Sequence, residues 1–391
     1  MAFHFHNLGI ESISEGDFVD FFTIYSQKYV FFTYDKIKQK LLSSQIIVND
    51  NSCFRFGYKY VLYFLIAKHV SDIINTEDGK NVIKKLFENL HLENSANILV
   101  FITHHTNDIS FINDSLLSAM IPFEDQEAIS LNKGGQYYQN IKAISSKISN
   151  DIIDQSRMPE EEREKQLIKN DEKIRYLEKT NQNNLTSEEI NETTIPFLQA
   201  FRSIDIVGQI VKNRKGSLPK QDIIELISEI YLTGFRTIGY LGAIFTDAKD
   251  LLAEELKERI EDDDNREDVE RKITSFFQLI SLQACLGVFT KLVYSVGIKD
   301  LKELYEEVAK RIGSPAAKLV SFSINSYYND ISTKDVSNLA KELDGNIVAL
   351  QILKSRVKAY IYTNHTTYKQ KQQLAQALHM KISPSIGRKK I

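Results

Sequence analysis

Apolar residues recur at helical spacing along most of the chain. Over residues 18–25 they repeat every three to four positions, which places them on one face of a helix. Ser14 precedes this segment and Asp17 lies three residues later, a spacing that predicts a capping box at the start of the helix. Thr33 precedes a second amphipathic segment in the same way and is its predicted N-cap.

A two-stranded hairpin is predicted after the second helix. Two short apolar runs within residues 46–56 flank Asn49, Asp50 and Asn51, which tolerate the left-handed backbone of tight turns. Two helices followed by a hairpin predict a small winged-helix-like unit over residues 1–57. Few basic residues lie near it, so a structural or partner-docking role is expected rather than DNA binding.

Beyond this unit the pattern predicts helices. Residues 58–74 carry apolar side chains on nearly every face, which predicts a deeply buried helix. Gly234, Gly239 and Gly242 lie inside a long helical pattern and predict close approach between helices rather than a phosphate-binding loop. Further helices are predicted at 249–260, 267–293, 299–312, 315–328, 333–343, 347–362 and 367–379.

The predicted fold is therefore mainly α. A small winged-helix-like unit is followed by an irregular α-helical array in two parts, which a charged linker joins. Its strongly polar composition predicts that this linker is solvated. The predicted parts are the winged-helix-like unit at 1–57, a helical domain at 58–157, the linker at 158–193 and a C-terminal helical domain at 194–391.

Composition and charge narrow the class of protein. The 391 residues include 49 Lys and Arg against 52 Asp and Glu, a formal net charge of −3 that argues against a generally basic nucleic-acid binder. Cys53 and Cys285 cannot form a disulfide framework and lack the spacing of a zinc site. The N-terminus lacks the pattern of a signal peptide, and no uninterrupted apolar run approaches the roughly 18 residues of a membrane helix, so a cytoplasmic protein is expected.

The stretch ANILVFITHHTND, residues 96–108, contains the most prominent candidate chemistry. His104 and His105 are adjacent, but neighbouring helical side chains point about 100° apart and do not converge on one ion. His104 and Asp108 would lie together if the helix continued, yet a metal site needs further ligands. The favoured interpretation is that His105 packs in the fold with one nitrogen hydrogen-bonded, that His104 lies near a helix end, and that Asp108 caps the next helix.

Motifs of nucleotide-dependent and metal-dependent enzymes are absent from the sequence. It contains no G-x-x-x-x-G-K-[ST], G-x-G-x-x-G, H-E-x-x-H or G-x-S-x-G pattern. The acidic run at 261–268 lacks the offsets of an EF-hand loop and predicts a solvated turn between two helices. No catalytic residue, metal or cofactor is therefore assigned.

Two segments resemble bacterial STAND-type NTPases, the signal-transducing P-loop ATPases that are related to NACHT and NB-ARC proteins and often serve in anti-phage defence. FRFGYKYVLYFLIAKHVSDII, residues 54–74, and NSANILVFITHHTND, residues 94–108, are similar to two successive family patterns. The matching residues are Phe54, Arg55, Phe56, Tyr58, Tyr60, Tyr63, Phe64, Ala67, Lys68, Ala96, Asn97, Ile98, Phe101, Thr103, His104 and Asp108.

The resemblance runs in the same order over most of the chain. ISEGDFVDFFTIYSQKY resembles the winged-helix-like part of the family, and residues 197–218 resemble a downstream helical stretch. The NTPase core that precedes this region in the family has no counterpart in the sequence, so ATPase activity is not implied. The resemblance implies a chain equivalent to the C-terminal half alone, either a separate gene product or a part of a larger gene.

The resemblance implies a non-enzymatic regulatory and sensing half, which acts through protein–protein contacts in anti-phage defence. The expected partner is a protein, such as a separately encoded NTPase, a phage component or a second copy of the chain; nucleic acid and membrane are not expected. Two alternatives stay open: an independent helical scaffold that binds a protein, and a histidine-dependent nuclease.

Arg55 is the leading candidate for a contact residue. A guanidinium at an aromatic strand-to-helix junction can pair with a carboxylate or carbonyl of a partner, although it can also stack on Tyr58 or Phe56 within its own domain. The candidate interaction residues are Arg55, Tyr58, Tyr60, Lys68, Asn97, His104 and Asp108.

Overall fold

Helices dominate the structure, a computed structural model, and the prediction of a mainly α fold is confirmed. The chain divides into two compact units, Met1–Ser115 and Leu116–Ile391. The predicted division into four parts stays a prediction. The structure describes residues 1–29, 33–50, 53–120, 123–148, 151–165, 167–168, 194–259 and 263–383.

The first unit combines a small antiparallel sheet with a set of helices. The sheet has the strand order β1-β3-β2. The elements are α1 (Ala2–Leu8), β1 (Ser12–Ser14), α2 (Glu15–Lys28), α3 (Tyr34–Ser43), β2 (Ile47–Asp50), β3 (Cys53–Phe56), α4 (Lys59–Asp72), α5 (Glu77–Glu88), α6 (Glu93–His105) and α7 (Ile109–Met120), within which the division between the units falls.

The predicted hairpin is present as β2 and β3. These strands pair in antiparallel fashion with Ile47 opposite Phe56. A third strand, β1, is not among the predicted elements; it pairs with the other edge of β3 and places Ile13 opposite Phe54. Because β1 has a single apolar residue, its alternation of apolar and polar positions is too short to indicate a strand.

The two predicted helix caps have different outcomes. The Ser14 hydroxyl accepts the Asp17 N–H at 3.1 Å, and the Asp17 carboxylate accepts the Ser14 N–H at 3.2 Å, so the capping box is confirmed. Thr33 occupies the N-cap position of α3 as predicted, but its hydroxyl makes no capping hydrogen bond.

Aromatic side chains pack one face of the sheet. Phe18 of α2 lies against Phe54 with ring centroids 5.5 Å apart, and Phe5 of α1 lies edge-on to Phe56 at 5.3 Å. Phe54 and Phe56 are two residues apart on β3, so their side chains project to the same side. The two helices therefore share one face of the sheet.

The prediction that α4 is deeply buried is wrong for one of its sides. Ile66 and Val70 are fully buried, whereas Tyr60, Phe64 and Leu65 are 65%, 43% and 37% exposed. An apolar residue on every face satisfies the composition of a buried helix, but burial also requires neighbouring elements on every side. In the structure α4 packs mainly against α6, with α1 and α5 as further neighbours.

The second unit consists of helices and one short parallel pair of strands. Strands β4 and β5 pair with Ile152 opposite Lys381. The elements are α8 (Gln136–Lys147), β4 (Ile152–Ile153), α9 (159–165), α10 (Thr194–Arg214), α11 (Lys220–Arg259), α12 (Asp263–Val296), a 3₁₀ turn (Lys299–Leu301), α13 (Lys302–Ile312), α14 (Pro315–Tyr328), α15 (Thr333–Glu342), α16 (Ile347–Thr363), α17 (Tyr368–Ala377) and β5 (Lys381–Ile382).

Glycines permit the close packing of the long helices in this unit. A Cβ at Gly234 would lie 2.9 Å from a side chain of α12, and one at Gly242 would lie 2.8 Å from the Tyr137 ring of α8. The predicted close helix approach is confirmed at these two positions. At Gly239 the neighbour is instead a loop, whose Glu127 carbonyl would lie 2.8 Å from the added atom.

One segment in the described part of the chain, Glu267–Val296, is long and apolar enough to cross a membrane by length and composition. In the structure it lies within α12, which packs against α8, α10, α11 and α14. Its side chains Cys285, Phe289 and Leu292 are fully buried. This helix therefore supplies part of the core of the second unit.

Two charged segments lie partly outside the described residues. Of the predicted linker, residues 159–165 are helical and 169–193 are not described. The turn predicted at 261–268 is wrong from Asp263 onward, because α12 begins there. Acidic residues at the start of a helix interact favourably with its dipole, so this run suits a helix N-terminus as well as a turn.

Candidate interaction surface

Exposed and half-buried rings on α4 and α6 form a surface that we call the aromatic face, made of Tyr60, Phe64, Phe101, His104 and His105. Phe64 lies at its centre: its ring centroid is 5.9 Å from that of Phe101 and 4.8 Å from that of His105, both edge-on. His104 lies 6.4 Å from Phe101. The face thus spans two packed helices and leaves much of each ring of α4 in solvent.

Helical spacing places the predicted residues of α4 on this face. Tyr60, Phe64 and Lys68 are four residues apart, so they follow one another along one side of the helix. The Lys68 ammonium lies 2.5 Å from the Asp72 carboxylate in a pair whose two side chains are about half exposed. A basic group therefore borders the apolar rings, as at the rim of many protein interfaces.

His105 is a packed residue, as the sequence predicts, but its expected hydrogen bond is not found at Nε2. That atom is buried and has no hydrogen-bond partner among the described residues. Burial lowers the pKa of His105, and the nearby charges of Lys68 and His104 lower it further. The imidazole is therefore neutral at neutral pH and presents its ring to Phe64.

The carboxylate of Asp108 accepts hydrogen bonds from backbone N–H groups at the start of α7. Helix α6 ends at His105, so Asp108 does not share a helix face with His104. Its carboxylate accepts the Ser110 N–H at 2.7 Å and the Phe111 N–H at 3.3 Å, and it also accepts the Ser110 hydroxyl. These bonds, the Ser110 hydroxyl first, lower the pKa of Asp108. The predicted cap of α7 is confirmed.

The described residues contain no group of three His, Cys, Asp or Glu side chains that could hold a metal ion. His104 is exposed on α6, and its neighbour His105 faces Phe64. Both histidines border the aromatic face, but His105 is packed against Phe64 whereas His104 is exposed.

Arg55 lies on β3 and is about half exposed. Its Nε is 3.4 Å from an Oδ of Asp50 across the hairpin, and no stacking on Tyr58 or Phe56 occurs in the described residues. An exposed ion pair of this kind contributes about 0–1 kcal/mol, so exchanging Asp50 for the carboxylate of a partner costs little. Tyr58 lies three residues after Arg55, at the N-cap of α4, and is 61% exposed.

The candidate residues do not form one site. Arg55, Tyr58 and Tyr60 belong to the junction between β3 and α4, whereas Lys68 and His104 lie further along α4 and at the end of α6. Asn97 is half-buried in α6. Neither the exposure of Leu65 nor the central position of Phe64 was predicted from the sequence. The four-residue spacing of Tyr60, Phe64 and Lys68 was the pattern that could have indicated a shared helix face.

A separate cleft of about 390 Å³ lies in the second unit. It is lined by the loop at 126–131, the start of α8 and residues 239–247 of α11. Its volume suits a small molecule. Glu127 and Asp247 line it, and neither forms an ion pair within the described residues.

The model of one protein family, Novel STAND NTPase 4, matches residues 11–66. The match extends from the start of β1 to Ile66 in α4 and therefore contains the whole sheet, Arg55, Tyr58 and Phe64. It supports a STAND-type relationship for this segment. No curated protein and no solved structure matches the chain significantly. The resemblance of residues 94–108 and 197–218 stays a prediction.

Proposed function

We propose that this chain is the non-enzymatic regulatory and sensing half of a STAND-type NTPase and acts in the bacterial cytoplasm during anti-phage defence. It docks on a separately encoded nucleotide-binding core through protein–protein contacts. The observation that carries this proposal is the coincidence of the family match at 11–66 with exposed aromatic side chains. Tyr58, Tyr60 and Phe64 all lie inside the match and are 61%, 65% and 43% exposed.

The chemistry of the aromatic face favours a protein partner. Contiguous exposed apolar side chains mark interaction sites more often than isolated ones, and aromatic residues dominate the binding energy of many interfaces. Phe64 is suited to the centre of such a contact because Phe101 and His105 already hold its ring on one side. Lys68 supplies a charge at the rim.

The charge balance of the sheet-bearing unit favours a protein over DNA as its partner, because residues 1–57 contain five Lys and Arg against six Asp and Glu. The order of helices and strands, with the sheet order β1-β3-β2, is compatible with the winged-helix-like unit that we propose. Lys38 of α3 lies 2.6 Å from the Glu15 carboxylate and is thus neutralised within the unit. We propose that the unit docks on a protein rather than on the phosphate backbone of DNA.

The proposal is tested with a P-loop ATPase encoded beside this chain, purified separately. We expect binding in titration calorimetry and an affinity that differs between the ADP-bound and ATP-bound core. The double change Tyr60→Ala and Phe64→Ala should weaken binding by about tenfold or more, the loss expected for hot-spot aromatics. Tyr368→Ala removes an aromatic side chain that is 58% exposed on α17 and is the matched control.

Each outcome of this titration has a distinct meaning. Equal affinity of the double variant and the wild type would contradict docking through the aromatic face. Equal affinity for the ADP-bound and ATP-bound core would favour the alternative of an independent protein-binding scaffold. The absence of binding to the adjacent ATPase in either nucleotide state would overturn the proposal.

A further inference from the structure

Arg356 of α16 places its guanidinium against α12 without a carboxylate partner. Its Nη2 donates to the Thr290 hydroxyl at 3.2 Å and to the Leu286 carbonyl at 3.4 Å, which is long for a hydrogen bond. Its Nε is buried and has no partner among the described residues. Both acceptors are neutral, so the positive charge is not compensated by either contact.

Three other cations of the second unit with partly buried side chains have a carboxylate at close range. One of them, Lys354, lies on the same helix two residues before Arg356, so the surroundings of α16 do not exclude ion pairs. Within the residues that the structure describes, no carboxylate pairs with Arg356. The pairs used for this contrast are Lys354–Asp151 at 2.5 Å, Lys291–Asp205 at 2.5 Å and Arg236–Glu229 at 2.6 Å.

The groups that surround Arg356 are uncharged at neutral pH. Cys285 and Tyr294 are the neighbours that favour its charge, and burial raises the pKa of each to about 12. Burial also lowers the pKa of Arg356, although a guanidinium stays protonated in proteins. A desolvated charge without a counter-charge destabilises the folded protein, so an anion bound beside Arg356 would stabilise it.

The surroundings of Arg356 lie partly at the surface. The residue as a whole is partly exposed, whereas its Nε is covered, so an anion reaches Nε only when the side chains over it move. Tyr294 beside it is 46% exposed, and its ring lies 5.1 Å from that of Tyr327, which is 56% exposed. The phenol of Tyr294, an electrostatic neighbour of the guanidinium, is a further donor for an oxygen anion.

We infer that Arg356 is the anchor of an oxyanion-binding site between α12 and α16. A carboxylate or a phosphate presents two oxygens at the spacing of two guanidinium N–H groups, and it would supply both the missing acceptor for Nε and the missing negative charge. This site is independent of the aromatic face, and its ligand chemistry holds whether or not the proposed docking is correct.

The test measures the melting temperature of the full chain in rising phosphate and, separately, rising acetate, with chloride adjusted to hold ionic strength constant. A ligand that binds only the folded state raises the melting temperature, so the wild type should respond to at least one of the two. Arg356→Gln should lose the response. Lys369→Gln removes an exposed cation of α17 and should keep it.

A second readout is taken on the wild type and needs a folded variant, Arg356→Lys, only for assignment. In ¹⁵N NMR of the wild type, the Arg356 Nε–H resonance, assigned by its loss in Arg356→Lys, should shift during the same titrations. A shift with phosphate alone identifies a phosphate site, and one with acetate alone identifies a carboxylate site. An unmoved resonance together with an unchanged melting temperature in both titrations would overturn the inference, as would an equal response in Arg356→Gln.

Discussion

The imidazole of His105 stands edge-on to the ring of Phe64, with their centroids 4.8 Å apart, across the contact between α6 and α4. Ile66 of α4 and Ile102 of α6 are fully buried, whereas Phe64 is 43% exposed. His105 therefore marks the border between the core of the first unit and the aromatic face. This relationship separates side chains that stabilise the fold from those that are available to a partner.

Truncation of Phe64 should have a small effect on stability. Phe64→Ala removes a ring that solvent already reaches, so we expect a loss below about 2 kcal/mol in the free energy of unfolding. Ile66→Ala, two residues along, removes a fully buried side chain and should cost about 2–5 kcal/mol. Denaturant unfolding followed by circular dichroism compares the two. Equal losses would show that Phe64 is a core residue and not part of an available face.

Protonation of His105 should destabilise the folded chain in mild acid. Burial, Lys68 and His104 lower the folded-state pKa of His105 below its ordinary value of 6.5, against the opposing charge of Asp72. The unfolded state then binds a proton that the folded state resists. Stability from this group is present above pH 6.5 and is lost as pH falls through the window between 6.5 and the folded-state pKa.

We expect His105→Gln to reduce the dependence of the unfolding free energy on pH between 6.5 and the folded-state pKa of His105. His104→Gln changes an exposed neighbour and should keep the wild-type slope. Burial also lowers the pKa of His6 and His69, so some slope should persist in the His105 variant. If His105→Gln and the wild type lose stability in parallel, the assignment of this effect to His105 is wrong.

The cap at Asp108 should be replaceable by another capping residue but not by alanine. Asp108→Ala leaves the first N–H groups of α7 without their acceptor and should cost about 0.5–2 kcal/mol. Asp108→Asn keeps the acceptor oxygen and should cost less. Hydrogen exchange at the start of α7 provides the measurement, and equal protection in both variants would refute a capping role.

Two helical glycines of the second unit should respond to alanine in opposite directions. A Cβ at Gly208 would lie 2.3 Å from the Ser295 carbonyl oxygen, so Gly208→Ala forces α10 and α12 apart and should cost about 1–3 kcal/mol or more. Gly287 has no atom within 4 Å of the added Cβ, so Gly287→Ala should stabilise α12 by about 0.5–1 kcal/mol. Thermal unfolding compares them, and changes of the same sign would contradict this packing.

Helix boundaries that are set by a capping residue or a proline could be predicted from the sequence. The predicted helix at 315–328 agrees with Pro315–Tyr328, because Ser314 caps it and Pro315 suits its first turn. The separate helix predicted at 249–260 is wrong, because α11 is continuous over Lys220–Arg259. The sequence just before residue 249 contains no glycine or proline, so no residue that commonly ends a helix is present.

The surroundings of a side chain could not be predicted in this way. Asp108 was assigned correctly because a cap depends on the next three residues. The exposure of Phe64 depends on which side of α4 lacks a neighbour, and the isolation of Arg356 depends on residues of another helix. Such relations are long-range, and neither periodicity nor spacing reports them.

The parallel pairing of β4 with β5 also constrains how the second unit folds. Beside this pair, the Gln155 N–H donates to the hydroxyl of Ser383, 228 residues later in the chain. During synthesis the segment around β4 must wait until almost the whole unit has left the ribosome before it can find this partner. Closing so large a loop is entropically costly and slow. We therefore expect the strand pair to form late, after most of the helices of the unit.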